Sequence, residues 1–288
     1  MHRLHLIIPL ALAGCVSPPP PAAPPDSSAA PRYPSWEEVP AAQPEPAPAA
    51  ASFGWHLDAP AEGRPLAGSG ATLETLTVSR GGHSVDLQLV VFDSRHYDLQ
   101  VLDQPEDWSG GGKITACMRQ AGAAAGVNGG FFTPEFDPMG LMIAGGRTTG
   151  TWQSNKLLGG ALVVTSRPLL LWNSEVATRD ASHLLQAGPR LVDAGRPVAG
   201  LDRKKHATRT FIANDGTHRW FFGLAAGVSL GELAEILATP GLTALPVHRA
   251  LNLDGGRSSA LYYRSAEGRE HSAPGWSTVR NYLAIIPR

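Results

Sequence analysis

Apolar and polar positions alternate from residue 85 and then turn wholly apolar up to residue 92, which predicts a strand passing into a core. Alternation returns over 97–102. Residues 113–120, after the breaker Gly110-Gly111-Gly112, read as a short helix, and 123–127 as a buried strand running into Asn128. Residues 157–165 and 168–172 predict a hairpin around Ser166-Arg167. Residues 208–213 and 219–224 predict a second, around Asn214-Asp215-Gly216. A short strand over 183–186 opens onto Gly188-Pro189-Arg190-Leu191. The best helix spans 230–238, where Leu230, Leu233, Ala234 and Leu237 form one apolar face behind a Ser229-x-x-Glu232 capping box. A strand over 281–286 follows. Many short strands with two helices predict an α+β fold: a mixed, largely antiparallel sheet with a few short helices in a single globular domain.

The start of the chain reads differently. Met1-His2-Arg3 is weakly basic, residues 4–12 are mostly apolar, and Leu12-Ala13-Gly14-Cys15 matches a bacterial lipobox. Residues 1–15 therefore read as a lipoprotein signal peptide, with Cys15 as the lipidation site. Val16 follows the cysteine, so no inner-membrane retention signal is read. Residues 16–52 hold about half of the 25 prolines and few large apolar residues, the composition of a disordered tether. At ~3.1 Å per residue it would reach up to ~100 Å. Residues 53–288 are the globular domain. The expected location is the bacterial cell envelope, with the lipid at Cys15 as the membrane contact, at the outer membrane or periplasmic face in a Gram-negative cell.

Charge excludes some partners. The formal net charge is −1 and the sequence pI about 6.8, so no nucleic-acid footprint is present. The dense basic run Arg203-Lys204-Lys205-His206 reads as a solvated loop. With Cys15 lipidated, Cys117 stands alone, expected on the inner face of the short helix. No histidine pair has ligand spacing and no acidic run forms a calcium loop, so neither metal nor cofactor is expected.

Two stretches carry the candidate chemistry. Gly126-Val127-Asn128-Gly129-Gly130-Phe131-Phe132 and Ala250-Leu251-Asn252-Leu253-Asp254-Gly255-Gly256-Arg257-Ser258-Ser259 each end an apolar run in Asn or Asp and then a glycine pair. Glycine lets another group approach the backbone, and free N–H groups with a guanidinium suit an anion such as a sugar phosphate. Asn-Gly and Asp-Gly are equally strong hairpin signals, and residues 251–253 and 260–263 would make an ordinary hairpin. A third motif, Gly227-Val228-Ser229-Leu230-Gly231, fits a nucleophile elbow, with Asp254 and His271 following in triad order. The capping box accounts for Ser229 instead, and too little chain follows for the remaining strand–helix units of such a hydrolase.

The order of Asn128-Gly129-Gly130-Phe131-Phe132, Gly188-Pro189, Arg209-Thr210, the helix at Ser229, Leu253-Asp254-Gly255-Gly256 and Arg280-Asn281-Tyr282-Leu283 resembles the phosphodiester glycosidase domain family, over roughly residues 85–287. Many family members carry a third glycine in the second motif, where this chain has Arg257. The resemblance implies hydrolysis of a sugar-1-phosphodiester in an envelope or extracellular glycan. It implies Asp254 as the carboxylate that stabilises the anomeric centre or activates water. Arg209, Arg257 and Arg280 would clamp phosphate, Asn128 would hydrogen-bond the ligand, Ser258 would contact it, and Gly129, Gly130, Gly255 and Gly256 would admit it to the backbone. A second carboxylate is not evident. Glu135 and Asp137 lie in a Pro-rich loop, Asp193 and Asp215 sit in turns, and His206 is a candidate proton shuttle or an exposed loop residue.

Two other classes compete. One is a non-catalytic envelope lipoprotein that binds glycans or anionic polymers through the same residues. The other is a serine esterase using Ser229.

Overall fold

The computed structural model describes residues 53–104, 114–176 and 180–288. Cys15, the 16–52 tether and the Gly110-Gly111-Gly112 breaker lie outside them. Nineteen strands but only two α-helices, α1 (Ile114–Gln120) and α2 (Leu230–Ala238), are formed among the described residues. The fold is thus more β-dominated than an α+β description implies, and every strand pairing is antiparallel.

The strands make three sheets. The largest runs in the order His56–Leu57, Thr72–Arg80, His83–Asp93, Arg219–Val228, Ala207–Asn214, Arg249–Asn252, Arg190–Asp193, Arg196–Pro197, with Glu62–Pro65 beside Thr72–Arg80. A second sheet orders Pro168–Trp172, Gly160–Val164, His183–Ala187, Met142–Ala144, Arg147–Thr149. A third orders Glu270–Ala273, Leu261–Arg264, Ala125–Asn128, Asn281–Pro287, Tyr97–Asp103.

Both faces of the large sheet are covered, and this explains the pattern over 85–92. Val85, Leu87, Leu89 and Val91 join the cluster that packs with Leu233, Ala234, Ile236 and Leu237 of α2. Asp86 is exposed and Gln88 half-buried, but Val90 and Phe92 point into the core shared with both smaller sheets. There alternation stops, because no face remains for polar side chains. In the last strand the period of two persists with two apolar destinations. Leu283 and Ile285 enter the shared core, while Tyr282 and Ala284 meet Ile114 and Met118 of α1.

The predicted strands over 85–92, 97–102, 183–186 and 281–286 and both helices form within a residue or two of their expected ends. Both hairpins form as well, the first with its leading strand starting only at Gly160 and the second with its return strand running on to Val228. Cys117 is half-buried beside the α1 cluster, with Sγ 3.4 Å from Gln104 Oε1. The hairpin alternative for 251–263 does not hold. Arg249–Asn252 belongs to the large sheet and Leu261–Arg264 to the third, so the Asp-Gly-Gly segment crosses between sheets. Among the described residues no helix is long and apolar enough to cross a membrane.

Candidate active site

The two glycine motifs meet where the large and third sheets converge. Asn128 ends its strand fully buried. Its Nδ2 donates to the Asp254 carbonyl at 2.7 Å, and the Asp254 N–H donates back to the Gly129 carbonyl at 3.0 Å. Asn128 Oδ1 accepts from the Thr210 hydroxyl at 2.8 Å and from the Ala260 N–H at 3.0 Å. Its amide is therefore engaged with protein groups and fixes Asp254 instead of facing outward.

Asp254 is half-buried. Burial pushes its carboxyl above the ordinary range, against the opposing pull of the Ser258 hydroxyl and the Gly255 N–H. That N–H donates to Asp254 Oδ1 at 2.9 Å. Gly256 then takes φ of 64°, a conformation that favours glycine, and opens the short 3₁₀ turn Gly256–Ser258. Ser258 is buried with its Oγ 3.3 Å from Ser277 Oγ.

Gly129 is required for another reason. A Cβ there would lie 2.0 Å from Asn281 Oδ1. That oxygen accepts from the Gly130 N–H at 2.7 Å, and the Asn281 carbonyl accepts from the Gly129 N–H at 2.9 Å. Both glycine N–H groups are thus bound by Asn281.

The three arginines differ. Arg209 is half-buried with its stem beside Gly255. Its Nε donates to the Val228 carbonyl at 3.1 Å and its Nη2 to the Lys205 carbonyl at 2.5 Å. Burial holds the guanidinium below the usual arginine range, with Asp202 acting the other way. Arg257 is exposed on the 3₁₀ turn, and its carbonyl accepts from the Trp276 N–H at 2.7 Å. Arg280 is buried in an ion pair with Asp103, 5.8 Å from the Phe136 ring. Its guanidinium braces the third sheet, and the partner Asp103 was not singled out from the sequence.

The remaining candidates lie elsewhere. Glu135 and Asp137 are exposed in their loop. Asp193 faces Arg249 at 3.5 Å, and Asp215 Oδ1 caps its turn through the Thr217 N–H at 2.8 Å. His206 faces Glu232 at 2.9 Å. Ser229 is buried and completes the capping box, donating to Glu232 Oε2 at 2.7 Å, while His271 stacks on Tyr263 at the edge of another sheet. The serine triad is not assembled.

Four residues at the site had weaker sequence signals. Thr210 and Asn281 position Asn128 and the first glycine pair. Asn252 breaks an apolar run, and its Nδ2 donates to the Gly188 carbonyl at 2.9 Å. Its Oδ1, like Asn281 Nδ2, is buried without a hydrogen-bond partner among the described residues. A polar residue inside an apolar run was the available clue for Asn252. Trp276 is 87% exposed beside the Arg257 turn, and nothing in its local sequence marks it.

The profile of the phosphodiester glycosidase family matches residues 121–286, which hold both glycine motifs. No curated protein matches the chain. The fold resembles the catalytic domain of zebrafish N-acetylglucosamine-1-phosphodiester alpha-N-acetylglucosaminidase auto-inhibited by pro-peptide. The TM-score is 0.55 at 15% identity, covering 81% of this chain and 86% of that one. It also resembles a hypothetical protein from Synechocystis, with TM-score 0.52 at 18% identity, covering 82% of this chain and 68% of that one.

Proposed function

The chain belongs to the phosphodiester glycosidase family, and from that premise we propose that it hydrolyses the bond between a sugar's anomeric carbon and phosphate in a sugar-1-phosphodiester. The observation that carries this reading is the Asn128–Asp254 clip, which holds a half-buried carboxylate beside a glycine-rich turn.

In this reading Asp254 acts ionised. A water oxygen forms a bond to the anomeric carbon as the carbon–oxygen bond to phosphate breaks, and the water proton passes to Asp254. The electron pair of the broken bond leaves on the phosphate oxygen. Positive charge building on the sugar ring is stabilised by the nearby carboxylate. Phosphate is already a good leaving group and needs cationic donors more than an acid. Arg209, with no ion-paired carboxylate among the described residues, and exposed Arg257 supply that role better than Arg280, which Asp103 neutralises. Trp276 offers a flat apolar surface beside Arg257 on which a sugar ring can stack.

The setting proposed for this activity is the cell envelope, with the domain tethered through a lipid on Cys15. Glycan substrates with phosphodiester links fit that location.

The test is sugar release from a panel of sugar-1-phosphodiesters, beginning with N-acetylglucosamine-1-phosphate esterified to mannose. Wild type should release free sugar and Asp254→Asn should not, with the fold intact by circular dichroism. Binding without release across the panel favours the glycan-binding alternative.

A further inference from the structure

Although no histidine pair in the sequence has metal-ligand spacing, the fold brings His83, His206 and Glu232 together. One ring nitrogen from each histidine and a Glu232 oxygen lie within 4.8 Å of one another. His83 opens the strand His83–Asp93, His206 immediately precedes Ala207–Asn214, and Glu232 lies in the first turn of α2.

The hydrogen bonds leave the centre of this cluster rich in lone pairs. His206 Nδ1 is 3.2 Å from the Lys204 carbonyl oxygen, which can only accept, so Nδ1 carries the hydrogen. In a neutral imidazole the other nitrogen then holds a lone pair. That nitrogen, Nε2, stands 2.9 Å from Glu232 Oε2, itself an acceptor. The same oxygen already takes the Ser229 N–H at 3.1 Å and the Ser229 hydroxyl at 2.7 Å. His83 adds a buried Nε2 with no hydrogen-bond partner among the described residues. With hydrogen on Nδ1, His206 Nε2 and Glu232 Oε2 face each other as acceptors, and a cation between them satisfies both.

Neighbouring arginines are otherwise engaged. Arg80 is 3.7 Å from Glu232 but 2.7 Å from Glu235, and it lies over the Trp55 ring at 4.3 Å. Arg203 pairs with Glu235 as well.

We propose that His83, His206 and Glu232 bind one divalent transition-metal ion of the zinc class. Two imidazole nitrogens and one carboxylate oxygen form a borderline donor set that suits Zn²⁺ better than Mg²⁺ or Ca²⁺. Bonds of ~2.0–2.1 Å in a tetrahedral site place ligand atoms about 3.3 Å apart, so the His206–Glu232 edge needs little change and the wider edges close inward. The Lys204 carbonyl on Nδ1 is the outer partner a metal-bound histidine uses, and Ser229 does the same for Glu232. His206 is exposed, which leaves solvent to complete the coordination.

The ion would join the start of one strand, the 202–206 loop and the cap of α2. Lys205 and Val228, whose carbonyls hold Arg209, are the chain neighbours of His206 and Ser229. Metal binding would therefore stiffen the mount of Arg209. The site itself stands whether or not the chain is a glycosidase.

The test uses the full chain, stripped with chelator and titrated with Co²⁺ and then Zn²⁺. One equivalent of Co²⁺ should give the visible absorption of a four-coordinate ion, bleached by Zn²⁺. His206→Gln and His83→Asn, each checked by circular dichroism, should each lower Co²⁺ affinity by more than the about 10–100-fold that loss of an outer partner costs. No visible absorption in the wild type, or wild-type affinity in both variants, overturns the proposal. So does a proton NMR titration in which His206 is already an imidazolium at neutral pH and Zn²⁺ leaves it unchanged.

Discussion

Asn128 Nδ2 donates to the main-chain carbonyl of Asp254 at 2.7 Å, joining two motifs that lie in different sheets. The same amide accepts from Thr210 and Ala260 through Oδ1. Asn128→Ala would leave the Asp254 carbonyl and the Ala260 N–H short of a partner, at about 1–3 kcal/mol for each one buried, while the Thr210 hydroxyl keeps Ser259 Oγ at 3.1 Å. Thermal denaturation should show a melting point lower by several degrees, since 1 kcal/mol moves it roughly 2–4 °C in a domain of this size. Sugar release, measured well below that melting point, should still fall, because Asp254 keeps only its backbone bond to Gly129 and loses the side-chain hold of Asn128.

Asp254 sets a pH dependence whose sign follows from burial, which raises its carboxyl pKa. If it acts ionised, kcat/KM should fall as pH drops through that raised value, so the acid limb sits above the ~3.9 of a free aspartate. For stability the neutral form is the favoured one. Its contribution is complete below the unfolded pKa and is lost as pH rises through the folded one. Asp254→Asn should accordingly melt at or above the wild-type temperature at pH 7, and the difference should shrink in acid. A variant less stable than wild type at pH 7 contradicts this.

Gly129 and Gly63 make a matched pair. A Cβ on Gly129 would press on Asn281 Oδ1, whereas one on Gly63 meets nothing within 4 Å. Urea denaturation should show Gly129→Ala destabilised by about 1–3 kcal/mol, the usual cost of overpacking. Gly63→Ala should stay within about 0.5 kcal/mol of wild type.

The arginines should separate by the quantity they change. Arg280→Met leaves Asp103 buried with only the exposed Arg147 for compensation, and stability should fall by up to about 3–5 kcal/mol. Arg209→Lys keeps the charge but loses the planar fork. If Arg209 receives phosphate, the lost charged hydrogen bond is worth about 1.5–3 kcal/mol, or roughly 10- to 150-fold in kcat/KM. Equal kinetic losses in both variants would remove the distinction.

Much of the fold was legible because its strands obey simple periodicity. Residues 97–102 alternate cleanly, 281–286 stand out as a short apolar run, and the Ser229-Glu232 capping box marks where α2 begins. Asp254 and Asn128 were legible as the polar ends of apolar runs. Their direct contact was not, since no local pattern reports which sheet a strand will join, and Asp-Gly reads as a hairpin until Arg249–Asn252 and Leu261–Arg264 are seen in separate sheets. The role of Asn281 was hidden for the same reason, because its partner Gly130 is 151 positions away in the chain. His83, His206 and Glu232 show no metal-ligand spacing, because three distant segments bring them together.

The central claim is that water attacks carbon and not phosphorus, and the most direct measurement follows the oxygen. Hydrolysis of N-acetylglucosamine-1-phosphate esterified to mannose would be run in water enriched in heavy oxygen, with both products examined by mass spectrometry. Label on the freed sugar, with mannose phosphate unlabelled, is the predicted result. Label in the phosphate would mean that a phosphorus–oxygen bond breaks, and would contradict the role given to Asp254.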